Sequence, residues 1–245
     1  MLGPLVMAAV ALEPRQAASL TRAGVLDSKA YGAGDEAHAR RTELAILIRK
    51  RASSVQISVI DHEEIDRRVW NHELNVLERE HAVRLIDASP AAKRIICDGA
   101  RMFQQLRARY PHLEARDKAE SHHVSVAAAS VVAKARRDQL YRMIAAQYEP
   151  EFGPIAGGGY ENAATHAFVR AYVGRYGCLP REARRSWGSW GGVDYLPAPP
   201  ARPLPLLDGK PAAAPSLRGS PKPVQTSPRR KIAGDEPIGL SPTNR

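Results

Sequence analysis

Lys118-Ala119-Glu120-Ser121 leads through Ser125-Val126-Ala127-Ala128-Ala129-Ser130-Val131-Val132-Ala133-Lys134 into Arg137-Asp138, and this stretch decides how the rest of the chain is read. Val126, Ala129, Ala133, Leu140 and Ile144 align at helical spacing, so the pattern predicts a helix from Val126 to about Tyr148. The first half of that helix, Ala127-Ala128-Ala129-Ser130, carries only small side chains, which let a helix backbone lie close against a sheet. Glu120 stands just ahead of it. A carboxylate in that place is favoured by the positive end of the helix dipole and by itself marks no site. His122 and His123 are adjacent, and neighbours point to opposite faces of a strand or about 100° apart on a helix. Both are therefore read as surface or capping residues rather than as a metal pair.

Upstream, Arg94-Ile95-Ile96-Cys97 reads as a short buried strand running into Asp98-Gly99. Ligands of open α/β sheets sit outside the carboxyl ends of strands, so Asp98 is placed to face a site. Asp-Gly is equally a common turn signal, and both readings stand at this point. Leu5 to Leu12 is a continuous apolar run of strand length, as expected of a fully buried strand, while Val55-Gln56-Ile57-Ser58-Val59 alternates like a half-buried one. Between the strands, Asp35 caps a helix predicted to reach about Lys50. Glu63 to about Asp87 is free of Pro and Gly and reads as one long helix packed on two sides, with Ile65, Val69, Val76 and Val83 on one stripe and Trp70, Leu74, Leu77 and Leu85 on another. Strands interleaved with helices indicate an α/β domain.

Three further groups carry potential chemistry. Asp27-Ser28-Lys29 is made of ordinary loop and cap formers, yet a Lys beside a hydroxyl can hold a phosphate. Gly157-Gly158-Gly159-Tyr160 is either a plain loop or one that lets backbone and ring approach a ligand. Arg181, Arg184 and Arg185 cluster before Ser186-Trp187.

The bulk numbers bound these readings. A hydrophobic fraction of 44% in 245 residues is enough for a core, and a formal net charge of +10 favours a polyanionic partner. Two cysteines, Cys97 and Cys178, make no disulfide framework, which suits a cytoplasmic protein. No apolar run is long enough to span a bilayer, so no membrane partner is expected. Leu2 to Leu12 could pass for a signal-peptide core, but it lacks a preceding basic residue and a cleavage site, and a buried strand is the better reading. Composition changes near residue 191: 12 of the 19 prolines and eight Lys/Arg lie between Gly191 and Arg245, where only Tyr195 is aromatic. Such a segment buries too little apolar surface to offset ordering entropy. The expected organisation is a domain over residues 1–190 and a disordered, basic, Pro-rich tail over 191–245.

Taken in order, these stretches resemble the ribonuclease HII family, the type-2 ribonucleases H. Gly3-Pro4-Leu5-Val6-Met7-Ala8-Ala9-Val10 looks like the family's second strand, Leu26-Asp27-Ser28-Lys29 like its Asp-Ser-Lys loop, and Ile95-Ile96-Cys97-Asp98-Gly99 like its third-carboxylate strand. The opening stretch is the most specific match. Gly159-Tyr160, Thr165-His166 and Arg184-Arg185-Ser186-Trp187 complete it, over about residues 2–190. The resemblance implies a ribonuclease H-like mixed sheet flanked by helices. It implies an endonuclease that hydrolyses the RNA strand of RNA–DNA hybrids, including ribonucleotides embedded in DNA, with Mg²⁺ or Mn²⁺ in a two-metal-ion mechanism. Asp98 and Glu120 would be metal ligands and catalytic carboxylates, Glu120 standing where many members have Asp. Ser28 and Lys29 would touch phosphate, Tyr160 would stack on the sugar at the RNA–DNA junction, and the protein would act as a monomer.

One departure accompanies the match. The family's Asp-Glu-Ala-Gly-Arg-Gly motif, bearing the first two carboxylates, should lie immediately upstream of Met1-Leu2-Gly3-Pro4, and no Asp or Glu precedes Glu13. The expectation is a chain that starts inside its gene, short of the family's first strand, and that by itself has no measurable ribonuclease activity and folds poorly, since two of the four metal ligands and one strand would be lacking. The alternative is a catalytically dead hybrid-binding remnant or a degraded paralogue.

Overall fold

β1 (Leu5–Ala11) is the axis of the fold, and its composition explains why. In the computed structural model, which describes residues 1–25, 31–32 and 34–187, Leu5 to Val10 are all buried. Side chains alternate across a strand. Leu5, Met7 and Ala9 enter one core with Ile65, Leu77, Cys97, Phe103 and Leu113, while Val6, Ala8 and Val10 enter a second with Leu44, Ile48 and Ala127 to Ala129. A strand covered on both faces needs no polar side, hence the unbroken apolar run. β1 pairs antiparallel with β2 (Ser54–Ile60), in register from Leu5 opposite Ile60 to Ala11 opposite Ser54. β3 (Ile95–Asp98) pairs parallel with β4 (Leu113–Arg116). Among the described residues these are two two-stranded sheets, one antiparallel and one parallel, rather than one mixed sheet; helices flank them in an α/β fold, as expected.

α1 (Pro14–Arg22) follows β1, and Pro14 opens it where no N–H is needed. α2 (Asp35–Arg51) carries Asp35 and Glu36 in its first turn and Arg49, Lys50 and Arg51 in its last, matching the helix dipole at both ends. α6 (Val124–Phe152) is the longest element. From Val126 to Ala133 it is buried without interruption, its small side chains lying against β1 and α2. Further along, Tyr148 and Phe152 meet Phe168 and Tyr172 of α7 (Ala163–Tyr176), with Tyr148 edge-on to Tyr172 at 5.5 Å.

The region read as one helix over 63–87 is two: α3 (His62–Trp70), capped by the Asp61 side chain on the Glu64 N–H at 2.8 Å, and α4 (Leu74–Asp87). The break is a C-terminal cap closed by two backbone bonds, His72 N–H to Val69 O (2.9 Å) and Glu73 N–H to Arg68 O (2.7 Å). It places His72 in the left-handed region at φ 58°. Gly would be usual there, so the sequence carried no stop signal. Each stripe is cut by the break, and neither is buried throughout: Ile65, Leu77 and Leu85 are buried, whereas Val76 is 37% and Trp70 62% exposed. β2 also differs from its expected alternation, being partly covered along most of its length. A short helix α5 (Ala100–Phe103), like α1, β4 and α7, was not anticipated.

Candidate active site

The carboxyl end of β3 and the segment after β4 meet at Asp98. Gly99 follows at φ 105°, a left-handed conformation that lets the chain turn at once into α5. The turn is tied on both sides: the Gly99 N–H bonds Arg116 O at 2.9 Å, and the Ala100 N–H bonds the Asp117 carboxylate at 2.8 Å. Parallel pairing of β3 with β4 sets Asp98 opposite Arg116. After Lys118, itself left-handed at φ 59°, the chain folds into a 3₁₀ turn, Ala119–Ser121. The Ala119 N–H donates to Asp98 Oδ1 at 3.2 Å, which holds the turn bearing Glu120 against Asp98.

Asp98 is 2% exposed and Glu120 5%. Asp98 Oδ2 accepts no hydrogen bond among the described residues. A buried carboxylate oxygen left in that state is costly unless a cation completes it. Oxygen donors of this kind suit hard divalent cations. Among the described residues no group of three or more His, Cys, Asp or Glu is placed to hold a metal ion. Cys97, next door, is no nucleophile, because burial pushes its thiol far up. Glu114 bridges Arg94 at 2.5 Å and Arg116 at 2.7 Å, and the bond from Arg94 foremost holds its carboxyl down at about 2. His123 occupies the N-cap position of α6 but makes no side-chain capping bond; burial first, then Arg94 and Arg116, keep its imidazole below the ordinary range.

Tyr160 stands apart in sequence, on the loop between α6 and α7. Gly157, Gly158 and Gly159 all have positive φ, and a Cβ on Gly157 would come 2.5 Å from Asn162 Oδ1. The loop is held by Asn162 Nδ2 on Gly157 O (2.8 Å), while the Asn162 side chain also caps α7 through the Thr165 N–H. Beneath the Tyr160 ring lies Arg137, a residue that the sequence reading quoted only as part of the motif, its Cζ 3.8 Å from the ring centroid. Its neighbour Asp138 accepts from Arg41 at 3.2 Å and meets His38 at 2.6 Å, tying α2 to α6; the place of Arg137-Asp138 at the end of the motif was the available signal. Ser28 and Lys29 lie outside the described residues. The Arg181, Arg184 and Arg185 cluster does not form one basic surface. Arg184 is fully buried, donates to Gly3 O at 2.9 Å and stacks over Trp187, while Asp66 accepts from the Arg185 and Ser186 N–H groups.

A sequence model of the family described as Ribonuclease HII matches residues 1–189. The ribonuclease HII of Methanothermobacter thermautotrophicus is 32% identical over 198 residues, covering 77% of this chain and 90% of the relative. Among solved structures, the ribonuclease H2 of Pyrococcus horikoshii superposes with a TM-score of 0.64 at 25% identity, over 76% of this chain and 87% of that one. Bst-RNase HIII, solved in complex with Mn²⁺, superposes at 0.52 with 25% identity over 70% of this chain and 57% of that one.

Proposed function

Because the chain belongs to the ribonuclease HII family, whose enzymes are RNA–DNA hybrid endoribonucleases, we propose that it hydrolyses the RNA strand of such hybrids at Asp98 and Glu120, single ribonucleotides embedded in DNA included. The observation that carries the site assignment is the buried Asp98 carboxylate, one oxygen tied to the Ala119 N–H and the other accepting nothing among the described residues. Asp98 and Glu120 would hold Mg²⁺ or Mn²⁺, in the two-ion form of the chemistry. Bound there, such ions make a water nucleophilic and stabilise the leaving oxygen of a phosphodiester.

The chain's own residues do the rest. The Ala119 N–H fixes the Asp98 carboxylate in one orientation, so its open oxygen needs no reorganisation when a ligand arrives. Tyr160, half-exposed on its glycine loop, supplies a flat face for the sugar at the RNA–DNA junction. Ser28 and Lys29 would contact phosphate, and the +10 net charge draws the duplex in. Residues 1–190 form the catalytic domain, and residues 191–245 a basic tail that adds non-specific affinity. The protein acts as a monomer in the cytoplasm; no helix among the described residues is long and apolar enough to cross a membrane.

The test is cleavage of a duplex carrying one ribonucleotide, with Mg²⁺ or Mn²⁺, by residues 1–245 and by a form extended upstream in the genomic frame, the latter beside its Asp98→Asn variant. Metal-dependent cutting 5′ or 3′ of the ribonucleotide by the extended form, and background rates with retained binding for its variant, are expected. Equal turnover by the variant removes Asp98 from the site. Hybrid binding with no cutting by either form makes it a binding protein instead.

A further inference from the structure

We infer that Arg137 is a positioning residue for Tyr160, fixing the plane of the ring that meets the sugar; this rests on the reading of Tyr160 given above. Arg137 is 1% exposed. A guanidinium so deeply buried normally has a carboxylate partner. The adjacent Asp138 is engaged by Arg41 and His38. What Arg137 does contact belongs to the Tyr160 loop: Nη1 donates to Gly158 O at 2.8 Å, and Cζ lies 3.8 Å from the Tyr160 ring centroid. Nε and Nη2 make no hydrogen bond among the described residues. Attraction between a cation and an aromatic face is strongest away from water, and Arg adds a planar surface that Lys lacks.

The loop alone would not orient the ring. Tyr160 follows three consecutive residues with positive φ, a backbone suited to close approach rather than to setting a side chain. The tight fit is on the backbone side, where a Cβ on Gly159 would come 2.7 Å from the Tyr141 ring. Arg137 stands on α6, the helix that begins just after the turn carrying Glu120. A ring seated on that guanidinium is therefore referenced to the same rigid element as the carboxylate site, and its inward face is occupied, which leaves the outward face for the sugar.

The experiment measures binding of full-length protein, in metal-free buffer, to a labelled duplex with one ribonucleotide and to the all-DNA duplex of the same sequence. Tyr160→Ala is expected to lower the preference for the ribonucleotide by about tenfold, the low end of one stacking contact. Arg137→Lys is expected to lower it similarly, and the double variant no further than either alone. Arg137→Gln, whose planar amide can lie on the ring and reach Gly158 O, is expected to keep most of it. Thermal melts accompany each variant. If Tyr160→Ala keeps the preference, the reading of Tyr160 fails and this inference with it. If Tyr160→Ala loses the preference while Arg137→Lys keeps it, or if the double variant loses twice as much on a logarithmic scale, only the role of Arg137 is overturned. Loss of cooperative melting in both Arg137 variants would make it a folding residue and overturn the inference as well.

Discussion

At the scale of single residues, Asp98 combines two opposed demands. Its buried carboxylate is held by one backbone donor and leaves one oxygen unsatisfied among the described residues, an arrangement that costs stability in the absence of a cation. Asp98→Asn removes the charge. We expect the metal-free variant to be more stable than the parent, by about 1 kcal/mol, the size of one unmet buried polar group. Mg²⁺ or Mn²⁺ should raise the melting temperature of the parent through linkage and leave the variant unmoved. Melting curves with and without each ion decide it: an ion-dependent rise that survives the substitution would place the cation elsewhere. Arg137 shows the same tension in a cation, buried beside a ring rather than an acid.

At the scale of elements, the junction between α3 and α4 is the least economical part of the chain. His72 occupies the left-handed position of a helix cap that Gly adopts without penalty. An L-residue there costs about 1–2 kcal/mol. Gly also loses more entropy on folding, so His72→Gly should stabilise by a net of about 1 kcal/mol at most, with hybrid binding unchanged. Denaturant midpoints at equal slope measure this; a loss of stability would mean that the imidazole makes a compensating contact. α6 shows the opposite economy. Its buried half is built of Val, Ala and Ser, and that thinness lets one helix lie against β1 and α2 at once.

For the whole molecule, charge and acid sensitivity follow from where the ionisable groups sit. His62, His81 and His123 all have imidazoles held below the ordinary range, burial being the first cause for each. The unfolded chain then binds more protons than the folded one below about pH 6.5. The stability these groups support is complete above that pH and falls as acid protonates them, so the protein should melt lower at pH 5.5 than at pH 7.5. His81→Gln should shrink that difference, and an unchanged difference would point to the carboxylates. The tail concerns affinity instead. Deleting residues 196–245 removes eight Lys/Arg, which should flatten the dependence of duplex binding on salt while leaving cleavage chemistry alone. An unchanged slope would show that the tail does not touch the duplex.

The amino-acid sequence by itself determined the order of β1, α2, β2, β3 and α6, because apolar periodicity is local and survives in a single chain. It also determined the family and the candidates Asp98, Glu120 and Tyr160, through motif residues kept in order. It could not place the α3–α4 break, since His72 carries no stop signal and only the backbone shows its left-handed turn. Tertiary structure alone decided that Asp98 and the Glu120 turn share a bond across 21 residues, through parallel pairing of two four-residue strands. It decided that Arg184 is a buried strut rather than a surface charge, and that Arg137 lies under Tyr160 from 23 positions away. Burial and partnership of a charged side chain depend on what the folded chain brings around it, and no local pattern records that.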